Sequence, residues 1–454
     1  MEVNKEIEKI IEYQNASLRI QTKKSEAALK TIIEVVKKDY EAGEFDFSRF
    51  TDIKLKQEGK ERHIKTYKPF SCEEVLCSYL KRVLDKKFHI KYPNRNEYIH
   101  SLFDIISALQ NMNDYSIFRF DFEDFFNSVS TEYVLKKYII NAALEREEIE
   151  LFEKFTSDVK YAYAGLNTSN IFCEIIAKQF DELLTLKLKN HGLIFYRRYI
   201  DDGILVFNKR VGELQCLRII NDTIKEIFLD DFVNSNTKCK TRLNLSKTKY
   251  ISGFDLANQG LSSDFDFLGY KFVLTPQFDS SGRLKTEFLY GITSKKINKY
   301  TKKIDEIIKE YLSNGDIELL RHRLKAFCFR TVYQISKYKT IIWKMKGFIA
   351  NYQELRYRIG FLTSDTEDFL KNSVERAFAN NNIDLPYFLK NKKEESIYNL
   401  YNNMSNYRTL LFVEPIGINR KGLDKLCKQL GIVNTTKNYE GLVRDYLIKV
   451  KIGH

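Results

Sequence analysis

The chain has 454 residues, enough for a large core and roughly two to four domain-sized units. A hydrophobic fraction of 43% and an aromatic fraction of 14% argue against an extended disordered chain, and 19 glycines with 5 prolines argue against collagenous or linker-rich architectures. Lysine and arginine outnumber aspartate and glutamate 74 to 61, a formal +13 that predicts attraction to a polyanion without choosing between RNA, DNA and anionic membrane, and that a solvated basic surface would also produce.

The first segment, MEVNKEIEKIIEYQ, is charged from its start and unlike a signal peptide, and no apolar run approaches the length of a membrane span. Seven dispersed cysteines without a CxxC framework read as buried free thiols, so a reducing cytoplasm and no membrane partner are expected. Ile7, Ile10, Ile11, Leu18 and Ile20 have helical spacing, as do Leu29, Ile32, Ile33 and Val36 before the Gly43 break, predicting two helices in an N-terminal extension. Residues 60–70, KERHIKTYKPF, are basic and polar and read as an exposed segment between elements, open to a triphosphate or template contact. An amphipathic helix is predicted over Cys72–Leu84, a turn at Tyr92–Asn96 and a further helix near Glu97–Gln110.

The central section predicts a short strand over Ser116–Phe122, helices over Thr131–Ile139 and Ser169–Leu188, and strands at Leu193–Tyr196 and Ile204–Phe207. A helix through the LRIINDTIKEIF segment follows, and then β-rich stretches at Leu243–Tyr250 and Phe265–Val273. Beyond Leu289 the pattern turns helical, with candidates at Ile292–Leu312, Ile317–Tyr338 and Glu367–Ala379 and local loops at Asn381–Asp384 and Tyr401–Ser405. Aromatic residues at helical spacing in this region are expected to be packing residues rather than stacking sites.

Two acidic constellations stand at apolar strand ends. Phe120–Phe126 reads FDFEDFF, and Tyr199–Asp202 reads YIDD between the apolar LIF and ILVF segments. Eighty positions separate Asp121 from Asp201, enough for helices to return the chain to one sheet. An Asp-Asp pair alone is common surface chemistry. Carboxylates converging from two strand ends can instead hold hard divalent cations near phosphate oxygens, the requirement of nucleotidyl transfer.

FDFEDFF, YIDD, LNLSKT and FLGY occur in the order of a reverse transcriptase palm, so roughly residues 90–275 resemble that family, and the whole-chain pattern resembles bacterial abortive-infection and defence-associated reverse transcriptases. The resemblance implies that Asp121, Asp201 and Asp202 are catalytic metal ligands for two Mg²⁺ ions, with Mn²⁺ a substitute in vitro. It places Phe126 at the steric gate that excludes a ribose 2′-hydroxyl; a buried aromatic supporting the acidic turn is the plainer reading. Gly165, Leu166, Asn167 and Thr168 match the loop beneath template and incoming nucleotide, although Asn167 and Ser169 depart from the family's Pro and Gly pattern. Lys247 matches the lysine that protonates or stabilises leaving pyrophosphate; a phosphate-positioning or helix-end lysine is the alternative. Phe267, Leu268, Gly269 and Tyr270 resemble the primer grip, a pattern a plain hairpin core also produces, and Arg95 is a fingers candidate facing the triphosphate.

The architecture implied is α+β: an N-terminal helical extension over 1–60, reverse-transcriptase-like fingers and palm over 61–289, and a largely α-helical, thumb-like or accessory region over 290–454. The expected activity is metal-dependent RNA-directed DNA synthesis in bacterial antiviral defence, with dNTPs, an RNA template and a DNA or protein primer as partners. Template-independent or protein-primed synthesis is the alternative within the enzyme class. A catalytically inactive, RNA-binding structural defence protein is the alternative outside it, and the helical tail is compatible with homo-oligomerisation.

Overall fold

The computed structural model describes residues 2–18, 23–57, 60–112, 114–337, 340–391, 396–433 and 438–451. Ile20 and Tyr338, each named in a predicted helix, lie outside them. Two compact units divide the chain: Met1–Arg95 with Asp114–Asp255, and Asn96–Asn113 with Leu256–His454.

In the first unit both N-terminal helices form, over Glu2–Ser17 and Glu26–Glu41, the second capped by the Ser25 hydroxyl accepting from the Ala28 N–H. Ile7, Ile10, Ile11 and Val36 are buried in one core with Val75, Leu76 and Leu80 of the Cys72–Phe88 helix. The basic segment at 60–70 is not a loop. Its first part, Lys60–Thr66 (β2), pairs antiparallel with Thr51–Gln57 (β1), every residue from Thr51 to Gln57 having a partner. Ile53 and Leu55 remain 40% and 45% exposed, so backbone pairing rather than a deep core defines this ribbon.

The strands Ser116–Asp121 (β3), Leu193–Tyr199 (β4), Asp202–Phe207 (β5) and Lys249–Ser252 (β6) form an antiparallel sheet in the order β4-β5-β3-β6. β3 and β5 are internal and buried along nearly their whole length, which is why their sequences run apolar instead of alternating. Their register sets Phe120 opposite Gly203 and Asp121 opposite Asp202. A Cβ at Gly203 would fall 2.2 Å from Cζ of the Phe120 ring, so the ring fills the space that the glycine leaves. The Ser169–Leu188 helix forms as predicted and buries Ile171, Phe172, Ile176, Phe180 and Leu184 in the same core, with each large side chain contributing about 1.5–3 kcal/mol on burial.

Between β4 and β5 only Ile200 and Asp201 make the connection, and Ile200 carries φ +61°. A β-branched residue in the left-handed region costs about 1–3 kcal/mol, and such backbone persists only where its surroundings enforce it. The predicted β-rich stretch at Leu243–Tyr250 is corrected: Leu245–Lys247 is a 3₁₀ turn, and the strand begins at Lys249.

In the second unit, Ser263–Phe267 (β7), Tyr270–Phe278 (β8) and Leu284–Ile292 (β9) form a meander. Helices follow over Ser294–Asn314 and Ile317–Cys328. The helix predicted to run on from Cys328 does not. Arg330–Lys337 (β10) is a strand, paired antiparallel with Thr340–Lys346 (β11) and parallel with Thr409–Phe412 (β12). Thr331, Val332 and Ile335, β-branched and clustered, favour the extended chain there. Among the described residues the C-terminal region is still mostly helical, Ser364–Asn380 included as expected, but it carries a three-stranded sheet where continuous helix was predicted. Tyr401–Ser405, predicted as a loop, lies in a short helix over Leu400–Ser405 capped by the Asn399 side chain. No helix among the described residues is long and apolar enough to cross a membrane, and Cys72, Cys77, Cys173, Cys216, Cys239, Cys328 and Cys427 are buried and free.

Candidate metal centre

Asp121 ends β3, Asp202 begins β5, and Asp201 occupies the turn before it. The strand register alone would set Asp121 beside Asp202. A backbone bond from the Phe122 N–H to the Asp201 carbonyl, at 3.0 Å, draws the turn against the end of β3. The result is one carboxylate oxygen from each of Asp121, Asp201 and Asp202 within 4.8 Å of one another. Asp121 is 2% exposed, and the other two are half-buried.

The 242–244 segment crosses the same strand end. Phe122 and Leu243 make an isolated bridge, and the Asn244 N–H donates to the Asp121 carbonyl at 2.8 Å. The turn that follows delivers Lys247, whose Nζ donates to both Asp121 oxygens at 2.7 and 2.9 Å while its side chain stays 47% exposed. Asn244 adds a longer contact from Nδ2 to Asp121 Oδ1 at 3.4 Å. Arg119, two residues before Asp121 and hence on the same strand face, reaches Asp202 Oδ1 with Nη2 at 3.0 Å. Three acids are thus met by two cations.

Burial raises the Asp201 carboxyl above its usual value, reinforced by the Asp121 charge and opposed by Lys247 and Arg62 of β2. Burial pushes Asp202 up to about 6, with Asp201 and Asp121 adding to it and Arg119 opposing it. Proton-favouring, electron-rich oxygens of this kind are where a divalent cation gains most, because it relieves the repulsion that raises them. Oxygen donors alone make a hard site, so the three aspartates fit a divalent cation of that character.

The other residues singled out in the sequence are distributed as follows. Phe126 sits half-buried in the short Phe125–Ser128 helix directly after the acidic turn, its ring 6.4 Å from that of Phe125. Gly165 has φ +105° and lies so close to β2 that a Cβ would meet the Lys65 carbonyl at 2.6 Å, while the Lys65 N–H donates to Ala164 at 2.8 Å. Leu166 and Thr168 are buried, whereas Asn167 is exposed and its amide donates to the Ser78 hydroxyl at 2.8 Å. Arg95 opens the Arg95–Leu109 helix and is half-buried. Phe267 to Tyr270 belong to the second unit. Leu268 and Gly269, both at positive φ, form the two-residue turn between the buried and paired Phe267 and Tyr270.

Sequence reading missed Arg119 and assigned no role to Asn244. The available signal for Arg119 was its place two residues before a ligand on a strand, which puts both side chains on one face.

No family model and no curated protein matches the chain. Among solved structures, telomerase from Candida albicans in complex with a TWJ fragment of telomeric RNA aligns at 12% identity over 89% of this chain and 62% of that one, with a TM-score of 0.39. Telomerase from Candida tropicalis with the same kind of fragment aligns at 13% identity over 88% and 64%, TM-score 0.34. Apo telomerase from Candida tropicalis truncated of its C-terminal domain aligns at 14% identity over 50% and 53%, TM-score 0.36. The alignments span between 53% and 64% of the length of those chains, and the chemistry of the present site rests on its own geometry.

Proposed function

We propose that the chain is a metal-dependent nucleotidyltransferase of the reverse transcriptase type, adding deoxynucleoside triphosphates to a hydroxyl-bearing primer and releasing pyrophosphate. The observation that carries the proposal is the convergence of Asp121, Asp201 and Asp202 within 4.8 Å, with Lys247 seated on Asp121. Two Mg²⁺ ions bound there would lower the pKa of the attacking 3′-hydroxyl and neutralise charge on the transferring phosphate. The chain's own residues supply the rest. Asp121, Asp201 and Asp202 would hold the cations. Lys247, released from Asp121, is long and exposed enough to hold a proton at Nζ for the leaving phosphate oxygen. Arg119 orients Asp202 through its Nη2 contact to Oδ1. Phe126, next to the acidic turn, is assigned to testing the sugar for a 2′-hydroxyl, and the Gly165–Thr168 loop and Arg95 to nucleotide and template contact, each by its match to the family pattern.

An RNA template, a DNA or protein primer and a setting in bacterial antiviral defence complete the proposal, on the resemblance of the motif order. Purified protein is assayed with labelled dNTPs, Mg²⁺ or Mn²⁺, and RNA, DNA or no template, and products are resolved for covalent attachment to protein. Wild type is expected to extend a primer on RNA, and Asp201→Ala to lose incorporation. Synthesis without template, or on the protein itself, would move the assignment within the class. Normal incorporation by Asp201→Ala, or binding without any incorporation across these conditions, would overturn it.

A further inference from the structure

Arg198 lies on β4 just ahead of the acidic turn, with its side chain 3% exposed. Every nitrogen of its guanidinium is engaged. Nε donates to Asp181 Oδ1 at 2.9 Å and Oδ2 at 3.2 Å, and Nη2 reaches Asp181 Oδ2 at 3.0 Å. Nη2 also donates to Glu174 Oε2 at 2.9 Å, and Nη1 to Glu174 Oε1 at 3.2 Å. The remaining contact runs along the chain: Nη1 donates to the Ile200 carbonyl at 2.7 Å. Glu174 and Asp181 stand two turns apart on the Ser169–Leu188 helix, and the Tyr196 hydroxyl fixes Asp181 from the strand side at 2.6 Å.

A buried ion cluster of this kind is a poor device for stability, because desolvating three charged groups offsets most of their attraction, and apolar side chains of similar volume usually serve as well. What apolar side chains cannot do is hold the Ile200 carbonyl. Ile200 is the β-branched residue at φ +61°, and its carbonyl carbon begins the peptide that leads into Asp201. Left to itself such a turn relaxes toward a conformation that isoleucine tolerates, carrying Asp201 and Asp202 with it. Arginine suits the task because its planar fork can grip two carboxylates and a carbonyl together, whereas lysine offers one point charge.

We infer that Arg198 is a positioning residue: anchored on Glu174 and Asp181, it clamps the strained Ile200 turn and so sets the placing of Asp201 and Asp202 against Asp121. The inference rests on the metal-dependent reading above, and it extends the working site to a helix that supplies none of the three carboxylates.

The test is Mn²⁺ titration of the full chain followed by electron paramagnetic resonance, each variant being held below its own melting midpoint so that only folded protein is read. Asp201→Asn is included to establish that the Mn²⁺ seen in wild type is bound at the triad. Arg198→Lys is expected to bind Mn²⁺ about 10- to 100-fold more weakly, the usual effect of losing a group that orients a metal ligand. Adding Ile200→Gly to Arg198→Lys is expected to restore part of that loss, since glycine adopts positive φ without a clamp. If Arg198→Lys does not melt cooperatively, an apolar replacement of the whole cluster decides: Arg198→Met, Glu174→Leu, Asp181→Leu and Tyr196→Phe together. A purely structural role predicts native Mn²⁺ affinity in that folded variant, and the clamp predicts the same 10- to 100-fold loss. Folded Arg198→Lys, or the folded apolar variant, binding within about twofold of wild type would overturn the inference while leaving the metal centre intact. Wild type showing no Mn²⁺ bound at the triad would remove the metal centre itself, and the clamp with it.

Discussion

Replacing Asp202 by asparagine is expected to make the metal-free protein more stable at neutral pH, at the expense of its proposed activity. The Asp202 side chain is 25% exposed, and burial carries its carboxyl from 3.8 up to about 6 even though Arg119 pulls the other way. At about 1.4 kcal/mol per pKa unit, that rise corresponds to about 3 kcal/mol. Because the folded pKa lies above the unfolded one, the folded state holds the proton more tightly. The penalty is absent below about pH 4, where both states are protonated, grows as pH rises through 4 to 6, and is full above about 6. Asparagine has the shape of the neutral carboxyl and cannot ionise, so Asp202→Asn should gain about 1–3 kcal/mol at pH 7.5 and almost nothing at pH 4. For a unit of about 150–250 residues each kcal/mol moves Tm by about 2–4 °C. Calorimetry in chelator at the two pH values measures the difference, and added Mn²⁺ should then raise wild type more than the variant. A variant that melts at or below wild type at pH 7.5, or whose gain is equal at both pH values, would refute the reasoning.

Lys247→Met should tighten Mn²⁺ binding, because the ammonium now on both Asp121 oxygens is a competitor, while lowering kcat about 10²-fold or more through loss of the proton donor; titration and single-turnover kinetics read the two effects, and weaker metal binding would count against the competition. Gly203→Ala places a Cβ 2.2 Å from Cζ of Phe120 and should destabilise the first unit by about 1–3 kcal/mol or more, read as a lower urea midpoint. Phe126→Ala should raise the kcat/KM for ribonucleotides relative to deoxyribonucleotides; unchanged discrimination would show that the ring is packing and not a gate.

The acidic centre was legible because both of its halves lie at the ends of apolar strands, where FDFEDFF and YIDD mark a change from buried to polar chain within a few residues. Arg119 was not, because its partner is chosen by the antiparallel register that sets Asp121 opposite Asp202, and register is a property of two segments rather than one. The hairpin of β1 and β2 was hidden for another reason. Its exposed Ile53 and Leu55 and its basic positions bury too little to leave an amphipathic signature. In the C-terminal region, β10 follows directly on a helix, and its parallel partner Thr409 pairs with a residue 79 positions earlier. A contact that distant leaves no local periodicity to read, and the apolar rhythm of TVYQI was absorbed into the preceding helix.

The fit of the Phe120 ring over Gly203 has a consequence for quality control. Strand partners can err by sliding one residue, and a slide of β5 along β3 would turn Asp202 to the opposite face of the sheet and drive the ring into a side chain instead of a vacancy. The same residue pair that sets the alignment of two internal strands therefore also decides whether the acids meet. A chain that assembles out of step is chemically mute rather than misdirected, and correct folding is a precondition for the site to exist at all.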